Sequence, residues 1–177
     1  MFSDGVKGKS QMIIREETKS DIEAISNITK LAFENHPYSE NTEQFIINAL
    51  RAAGALTISL VAEIDGKIAG HIAFSPVTFA DGSKNWYGLG PISVVPDYQK
   101  QGIGRRLVNE GLGMLKDIGA EGCVLVGETK YYERFGFRSP TGLKHEGVPQ
   151  ENFLALGFCN RIPKGTVQFH SAFCATK

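Results

Sequence analysis

The chain has 177 residues, 42% apolar and 21% charged, with 19 basic side chains set against 19 acidic ones. That length supports one domain whose core needs no disulfide or metal. A net charge of zero offers no basic stripe for a nucleic acid backbone, and no apolar run is long enough to span a bilayer.

No secretory signal is read at the start, so the cytoplasm is the expected compartment. Cys123, Cys159 and Cys174 are an odd set without metal-ligand spacing, each in or beside apolar sequence, and read as buried reduced thiols. Residues 1–11, MFSDGVKGKSQ, read as an unstructured extension to one domain over residues 12–177. Gly8-Lys9-Ser10 has the ending of a phosphate-binding P-loop. Ser3, however, stands where that loop requires glycine, and no strand precedes it.

In chain order, Met12–Arg15 reads as a short strand. The following SDIEAISNITKLAF predicts a helix opened by a capping box of Ser20 and Glu23. Its inward face would carry Ile22, Ile25, Ile28 and Ala32, and His36-Pro37 stops it. A second helix is expected over Thr42–Ala53, with Phe45, Ile46, Ala49 and Leu50 inward and Gly54 after its end. The period then changes. Residues 55–64 and 67–80 read as strands joined at Asp65-Gly66, a two-residue hairpin signal. Asp81-Gly82 repeats the signal before a strand over Asn85–Val95. A three-stranded antiparallel meander is expected.

A helix begins near Gly102, with Ile103, Leu107, Leu112 and Leu115 on one side. EGCVLVG (121–127) is a short apolar run of the kind buried on both faces of a sheet. YYERF (131–135) reads as a short helix or turn, and NFLALGF (152–158) and GTVQF (165–169) read as strands. The elements together imply an α+β (mixed α/β) fold: a mostly antiparallel central sheet flanked by helices.

Gln99-Lys100-Gln101-Gly102-Ile103-Gly104 joins a strand to a helix start. The first helical amides have no intrahelical acceptor, and the helix dipole is positive there. Gly102 and Gly104 carry no side chain to hold an anion away, and Arg105 and Arg106 add charge. Such a loop is either a plain turn or an anion seat. The dinucleotide fingerprint G-x-G-x-x-G lacks its third glycine here, and the strand before it belongs to a meander. Neither G-x-S-x-G nor H-E-x-x-H occurs. Cys123 lies inside an apolar strand, where a nucleophilic thiolate is unfavourable.

The wider stretch ISVVPDYQKQGIGRRL, with Gln99, Gly102 and Gly104 at fixed positions, resembles the acyl-CoA loop Q/R-x-x-G-x-G/A of the GNAT superfamily of N-acyltransferases. YYERFGF resembles that family's second segment, F/Y-Y-x-x-x-G-F. HIAFSPVT, WYGLGPISV and GTVQFHSAF are similar to segments of a small bacterial branch of predicted N-acetyltransferases.

The resemblance implies acetyl-CoA as acyl donor, a small-molecule or protein amine as acceptor, no metal, and a monomer or homodimer. It implies that Ile92, Ser93 and Val94 offer main-chain groups to pantetheine and thioester, an amide near Ile92 meeting the oxyanion. Gly90-Pro91 independently suggests an irregular strand there. The pyrophosphate is expected on the amides of Gln101, Gly102, Ile103, Gly104, Arg105 and Arg106, beside Gln99 and Lys100. Tyr132 matches the family tyrosine that acts as general acid toward the coenzyme sulfur.

The base stays open. Asn85–Val95 holds no carboxylate or histidine; Glu128 is the nearest candidate, His36, His71 and Glu34 are weaker ones, and water or simple capture of free amine are alternatives. Phe33, Tyr38, Phe45 and Trp86 either line the acceptor pocket or fill the core. Two other functions compete. One is a CoA-binding sensor or interaction module with little catalysis, against which the retained Tyr132 counts. The other is transfer from acyl-carrier protein, revealed by indifference to the CoA nucleotide.

Overall fold

The structure is a computed structural model and describes residues 10–177. Residues 1–9 of the expected extension, with Gly8 and Lys9, lie outside the described residues; Ser10 and Gln11 are exposed and belong to no element.

Six strands form the main sheet, in spatial order β1 (Met12–Glu16), β2 (Ile58–Ile64), β3 (Lys67–Pro76), β5 (Trp86–Val94), β6 (Gly122–Val126) and β8 (Phe153–Gly157). Every neighbouring pair is antiparallel except β5 and β6. That parallel pair is joined through α3 (Ile103–Asp117), the crossover a parallel connection needs. The mostly antiparallel α+β fold expected from the sequence is therefore present.

Alternation along β2 assigns the faces. Val61 is buried with Ile25 of α1 (Ile22–Phe33) and Ile47 of α2 (Glu43–Ala52). Ile58, Leu60, Ala62 and Ile64 are buried with Ile103, Leu107, Leu112 and Leu115 of α3. The inward face of α2 is rotated from the expected one: Gln44, Ile46, Ile47 and Leu50 are buried, while Phe45 and Ala49 are half-buried.

Two local expectations are corrected. The first helix opens through a 3₁₀ turn, Lys19–Asp21, and its reciprocal pair is Thr18 with Asp21, not Ser20 with Glu23. The Thr18 N–H donates to Asp21 Oδ2 at 2.7 Å, and Arg15 fixes the same carboxylate with bonds of 2.7 and 3.0 Å. Those Arg15 hydrogen bonds hold Asp21 well below the usual carboxylate range. A strand residue therefore selects the cap. Second, Asp81-Gly82 makes a turn but no two-residue hairpin. After β3 the chain first forms β4 (Thr78–Phe79), which pairs with β9 (Gly165–Gln168). With β7 (Leu143–Lys144) these make a second sheet in the order β4-β9-β7. Phe79 meets Trp86 edge-on at 5.7 Å, so the detour seals the Trp86 end of β5. The Asp65-Gly66 hairpin and the β2-β3-β5 meander stand as expected.

Of the three thiols only Cys123 is buried. Cys159, in the polar turn after β8, and Cys174, at the end of a single 3₁₀ turn, are exposed, contrary to expectation.

Candidate active site

The strands β5 and β6 pair only from Trp86 with Gly122 to Gly88 with Val124. Beyond that point β6 stays with β8 to Val126, and β5 stays with β3 to Val94. A gap opens between them. Gly90 (φ 136°) and Pro91, joined by a cis peptide bond, interrupt the ladder: Ile72 faces Ile92, but Phe74 faces Leu89. This is the strand irregularity expected at Gly90-Pro91.

The Val95 N–H donates to the Ala69 carbonyl at 2.9 Å, which fixes the alternation just before it. Ser93 therefore turns its main chain to β3, and its side chain lies 3.4 Å from the Thr29 hydroxyl of α1. Ile92 and Val94 turn theirs toward the gap. The Val94 carbonyl accepts from Gln99 Nε2 at 3.0 Å. Gln99 thus ties the loop back to the strand end rather than reaching outward.

At the start of α3, Gly102 adopts φ 84°, a left-handed conformation that favours glycine, and a β-carbon there would meet nothing within 4 Å. The first helical bond runs from the Arg106 N–H to the Gly102 carbonyl (3.1 Å), so the amides of Ile103, Gly104 and Arg105 remain outside the helical ladder. The Ile103 side chain is buried against Gly70, leaving only its amide for a ligand. Lys100, Gln101, Arg105 and Arg106 are exposed.

Across from this loop lies α4 (Thr129–Tyr132), followed by a 3₁₀ turn, Glu133–Phe135. The Tyr131 hydroxyl stands 3.0 Å from where a Gly104 β-carbon would be, and the Arg134 guanidinium lies 4.5 Å over the Tyr131 ring. Tyr132 is 9% exposed and packs edge-on to Tyr131 (4.9 Å) and Phe137 (6.0 Å). Its ring fills the space beside Gly127, at the end of β6. Burial pushes its phenol above the ordinary tyrosine range, with Tyr131 and Cys123 adding to the effect. Burial likewise raises the Cys123 thiol far from reactivity.

The base candidates are scattered. Glu128 is exposed at the start of α4, where its carbonyl accepts from the amides of Tyr131 (3.1 Å) and Tyr132 (3.2 Å). Glu34 and His36 are exposed after α1; His36 lies between Phe33 (5.8 Å) and Tyr38 (6.1 Å), and Tyr38 is 91% exposed. His71 is fully buried, its Nε2 2.7 Å from Ser59 Oγ and 3.8 Å from Glu17. Burial lowers it to about 4 and keeps it neutral. Trp86 fills the core.

Three features went unread in the sequence. Arg51 grips Glu17 with bonds of 2.7 and 2.9 Å beneath His71, a pairing between distant segments with no local pattern. Phe169, just past β9, lies against Gly88, where the β5–β6 pairing ends, with His145 and Phe173 rings 5.1 and 5.2 Å away. An open surface groove of about 480 Å³ is lined by Arg105, Asn109, Lys130, Arg134 and Phe135, on α3, α4 and the turn after it. Among the described residues no group of His, Cys, Asp and Glu could hold a metal, and no helix is long and apolar enough to cross a membrane.

The splayed parallel pair thus lies beside an open helix start. Residues 22–137 match the acetyltransferase (GNAT) family, and the chain belongs to it. The uncharacterized N-acetyltransferase YhbS of Escherichia coli strain K12 is 37% identical over 127 residues, 71% of this chain and 73% of that protein. A GNAT family acetyltransferase from Brucella melitensis, solved in complex with acetyl-CoA, is 47% identical, with a TM-score of 0.83 over 92% of this chain and 98% of its own. YhbS from Escherichia coli, solved in complex with CoA, is 30% identical, with a TM-score of 0.86 over 96% of each chain.

Proposed function

We propose that the protein is an N-acetyltransferase that moves an acetyl group from acetyl-CoA to an amine by direct attack, with Tyr132 as general acid. The observation that carries this reading is the contact of Tyr131 with Gly104, which brings the tyrosine turn onto the start of α3. The open amides and Tyr132 then flank the gap beside Ile92. The complexes of the two similar proteins with acetyl-CoA and CoA support the donor.

The pyrophosphate rests on the amides of Gln101 to Arg106, and pantetheine runs along β5. The amine attacks the thioester carbonyl, and the Ile92 amide meets the oxyanion. As the C–S bond breaks, the sulfur takes the proton of the Tyr132 phenol. Burial keeps that phenol protonated at neutral pH, and the same dry surroundings raise the proton affinity of the departing thiolate. Glu128, exposed at the start of α4, takes the amine proton through water. Phe169, His145 and Phe173 form an aromatic wall where β5 and β6 part, and the acceptor lies against it. The exposed free thiols of Cys159 and Cys174 fit a reducing compartment, the cytoplasm.

The test is thiol release from acetyl-CoA by the purified protein against amino acids, polyamines, aminoglycosides and peptide N-termini. Release with an N-acetylated product supports the reading. Acetyl-CoA binding without turnover on any amine class overturns it in favour of a sensor.

A further inference from the structure

We infer that the acceptor is a small amine carrying a second ammonium group, and that Glu43 and Gln44, at the start of α2, hold that second charge. This rests on the reading of the protein as an amine acetyltransferase and deepens it by naming the acceptor class.

The two helices place these residues. On α1, Ile25 is buried with Val61 of β2, and one turn on, Thr29 lies 3.4 Å from Ser93 of β5. The helix thus crosses the sheet toward β5, and the chain after Thr29 continues past it, to the side where β5 and β6 part. The second helix, α2, returns from there, and its Ile47 is again buried with Ile25 and Val61. Gln44 and Glu43, three and four residues before Ile47, share its side of the helix and stand at the gap end. Ile46 and Leu50 of α2 pack with Ala172 and Phe173, and Phe173 belongs to the aromatic wall beside Gly88.

Two oxygens at this end lack donors. Gln44 is 6% exposed, and its Nε2 donates to the Asn41 carbonyl at 3.0 Å, which turns Oε1 away from the loop. The Ser39 hydroxyl donates to Glu43 Oε1 at 2.7 Å and fixes the carboxylate. Gln44 Oε1 and Glu43 Oε2 are both buried and accept no hydrogen bond among the described residues. Buried acceptors left unpaired are costly, and only a donor relieves them.

Charge points the same way. Residues 31–50 contain Glu34, Glu40 and Glu43 and no lysine or arginine, in a chain of net charge zero. None of the three makes an ion pair among the described residues. Phe33, His36 and the exposed Tyr38 offer ring faces of the kind that attract organic cations. An ammonium group brings donors only and one positive charge, which suits both oxygens. An amino acid would set its own carboxylate against these three. A monoamine or a simple peptide N-terminus has one nitrogen to offer, and the reaction consumes it.

The experiment measures kcat/KM for putrescine against butylamine, cadaverine against pentylamine and hexamethylenediamine against hexylamine, in the wild type, Glu43→Gln and Gln44→Met. Spermidine and kanamycin extend the series and separate linear polyamines from aminoglycosides. The wild type is expected to favour the best diamine over its monoamine about ten- to a hundredfold, through KM, the scale of charge-assisted hydrogen bonds. Both variants are expected to bring that ratio close to one, with calorimetric binding of acetyl-CoA identifying them as folded. Wild-type turnover of amines without preference for a second ammonium group overturns the acceptor class and leaves the acetyltransferase reading standing. Folded variants that keep the wild-type ratio overturn it too, since the two oxygens then hold water only. Folded variants that lower diamine and monoamine turnover alike show a structural role and also overturn it. No turnover on any amine overturns both readings.

Discussion

The Tyr131 hydroxyl lies against Gly104 so closely that a β-carbon on the glycine would stand 3.0 Å from it, tighter than ordinary van der Waals contact. Gly104→Ala should therefore push Tyr131 out of place, and Gly104→Val should also block the amides and abolish acetyl-CoA binding. Relief needs the half-buried Tyr131 side-chain end to give by a few tenths of an ångström, set against the gain of about 1 kcal/mol of alanine over glycine in a helix. Tyr131→Phe removes the offending oxygen, so Gly104→Ala should be more favourable to stability in the Tyr131→Phe background than in the wild type. Thermal unfolding of the double-mutant cycle measures this; purely additive effects would show that the contact is not the cause.

Tyr132→Phe should lower turnover by roughly 10²–10⁴-fold, the usual worth of general acid catalysis, with little change in acetyl-CoA affinity. Tyr131→Phe should do the reverse, changing affinity more than maximal rate. Because burial raises the Tyr132 phenol above its ordinary value of about 10, the acid form persists through neutral pH. The alkaline fall in turnover due to this group should therefore lie above pH ~10. Wild-type rates in Tyr132→Phe, with chemistry limiting, would remove Tyr132 from the mechanism.

Two glycines of α3 should respond with opposite signs. A β-carbon on Gly111 would lie 2.2 Å from the Phe74 ring, whereas one on Gly113 meets nothing within 4 Å. Gly113→Ala should stabilise by about 1 kcal/mol through helix propensity alone. Gly111→Ala should destabilise by about 2 kcal/mol despite the same propensity gain, since Phe74 is fully buried. Urea denaturation checks both, and stabilisation by Gly111→Ala would contradict the packing described.

Burial lowers His71 to about 4, so the folded protein keeps it neutral at pH values where the unfolded chain takes up a proton. Its contribution is intact above the unfolded value near 6.5 and is lost as pH falls from there through 4. Between pH 7 and pH 5 the stability should drop by about 2 kcal/mol. His71→Gln should flatten that dependence. Urea midpoints that are equal at the two pH values in the wild type would show that His71 is not shielded.

The parts of the fold legible in the sequence are those with local signals. Ile103, Leu107, Leu112 and Leu115 repeat at helical spacing and are all buried along α3, and Asp65-Gly66 closes its hairpin as two-residue turns do. The segments Gln99 to Gly104 and Tyr131 to Phe137, far apart in the chain, meet at Gly104 and Tyr131, which local pattern alone did not reveal. Elements set by distant partners were not legible. Thr78–Phe79, read as the end of one strand over residues 67–80, instead leaves the meander because Val167 and Gln168 arrive beside it. Thr18 displaces Ser20 as the cap because Arg15, on β1, fixes Asp21. Lys130 and Arg134 come to share a groove with Arg105 and Asn109 only through the fold.

The central claim is that acetyl-CoA binds along β5 and on the amides of the α3 start. Thermal unfolding of the purified protein with and without saturating acetyl-CoA tests it most directly. At about 100 times the dissociation constant, binding to the folded state alone adds about 2.7 kcal/mol. The account predicts a raised melting temperature in the wild type and none in Gly104→Val. An unchanged wild-type melting temperature, with no heat on titration of acetyl-CoA, would contradict it.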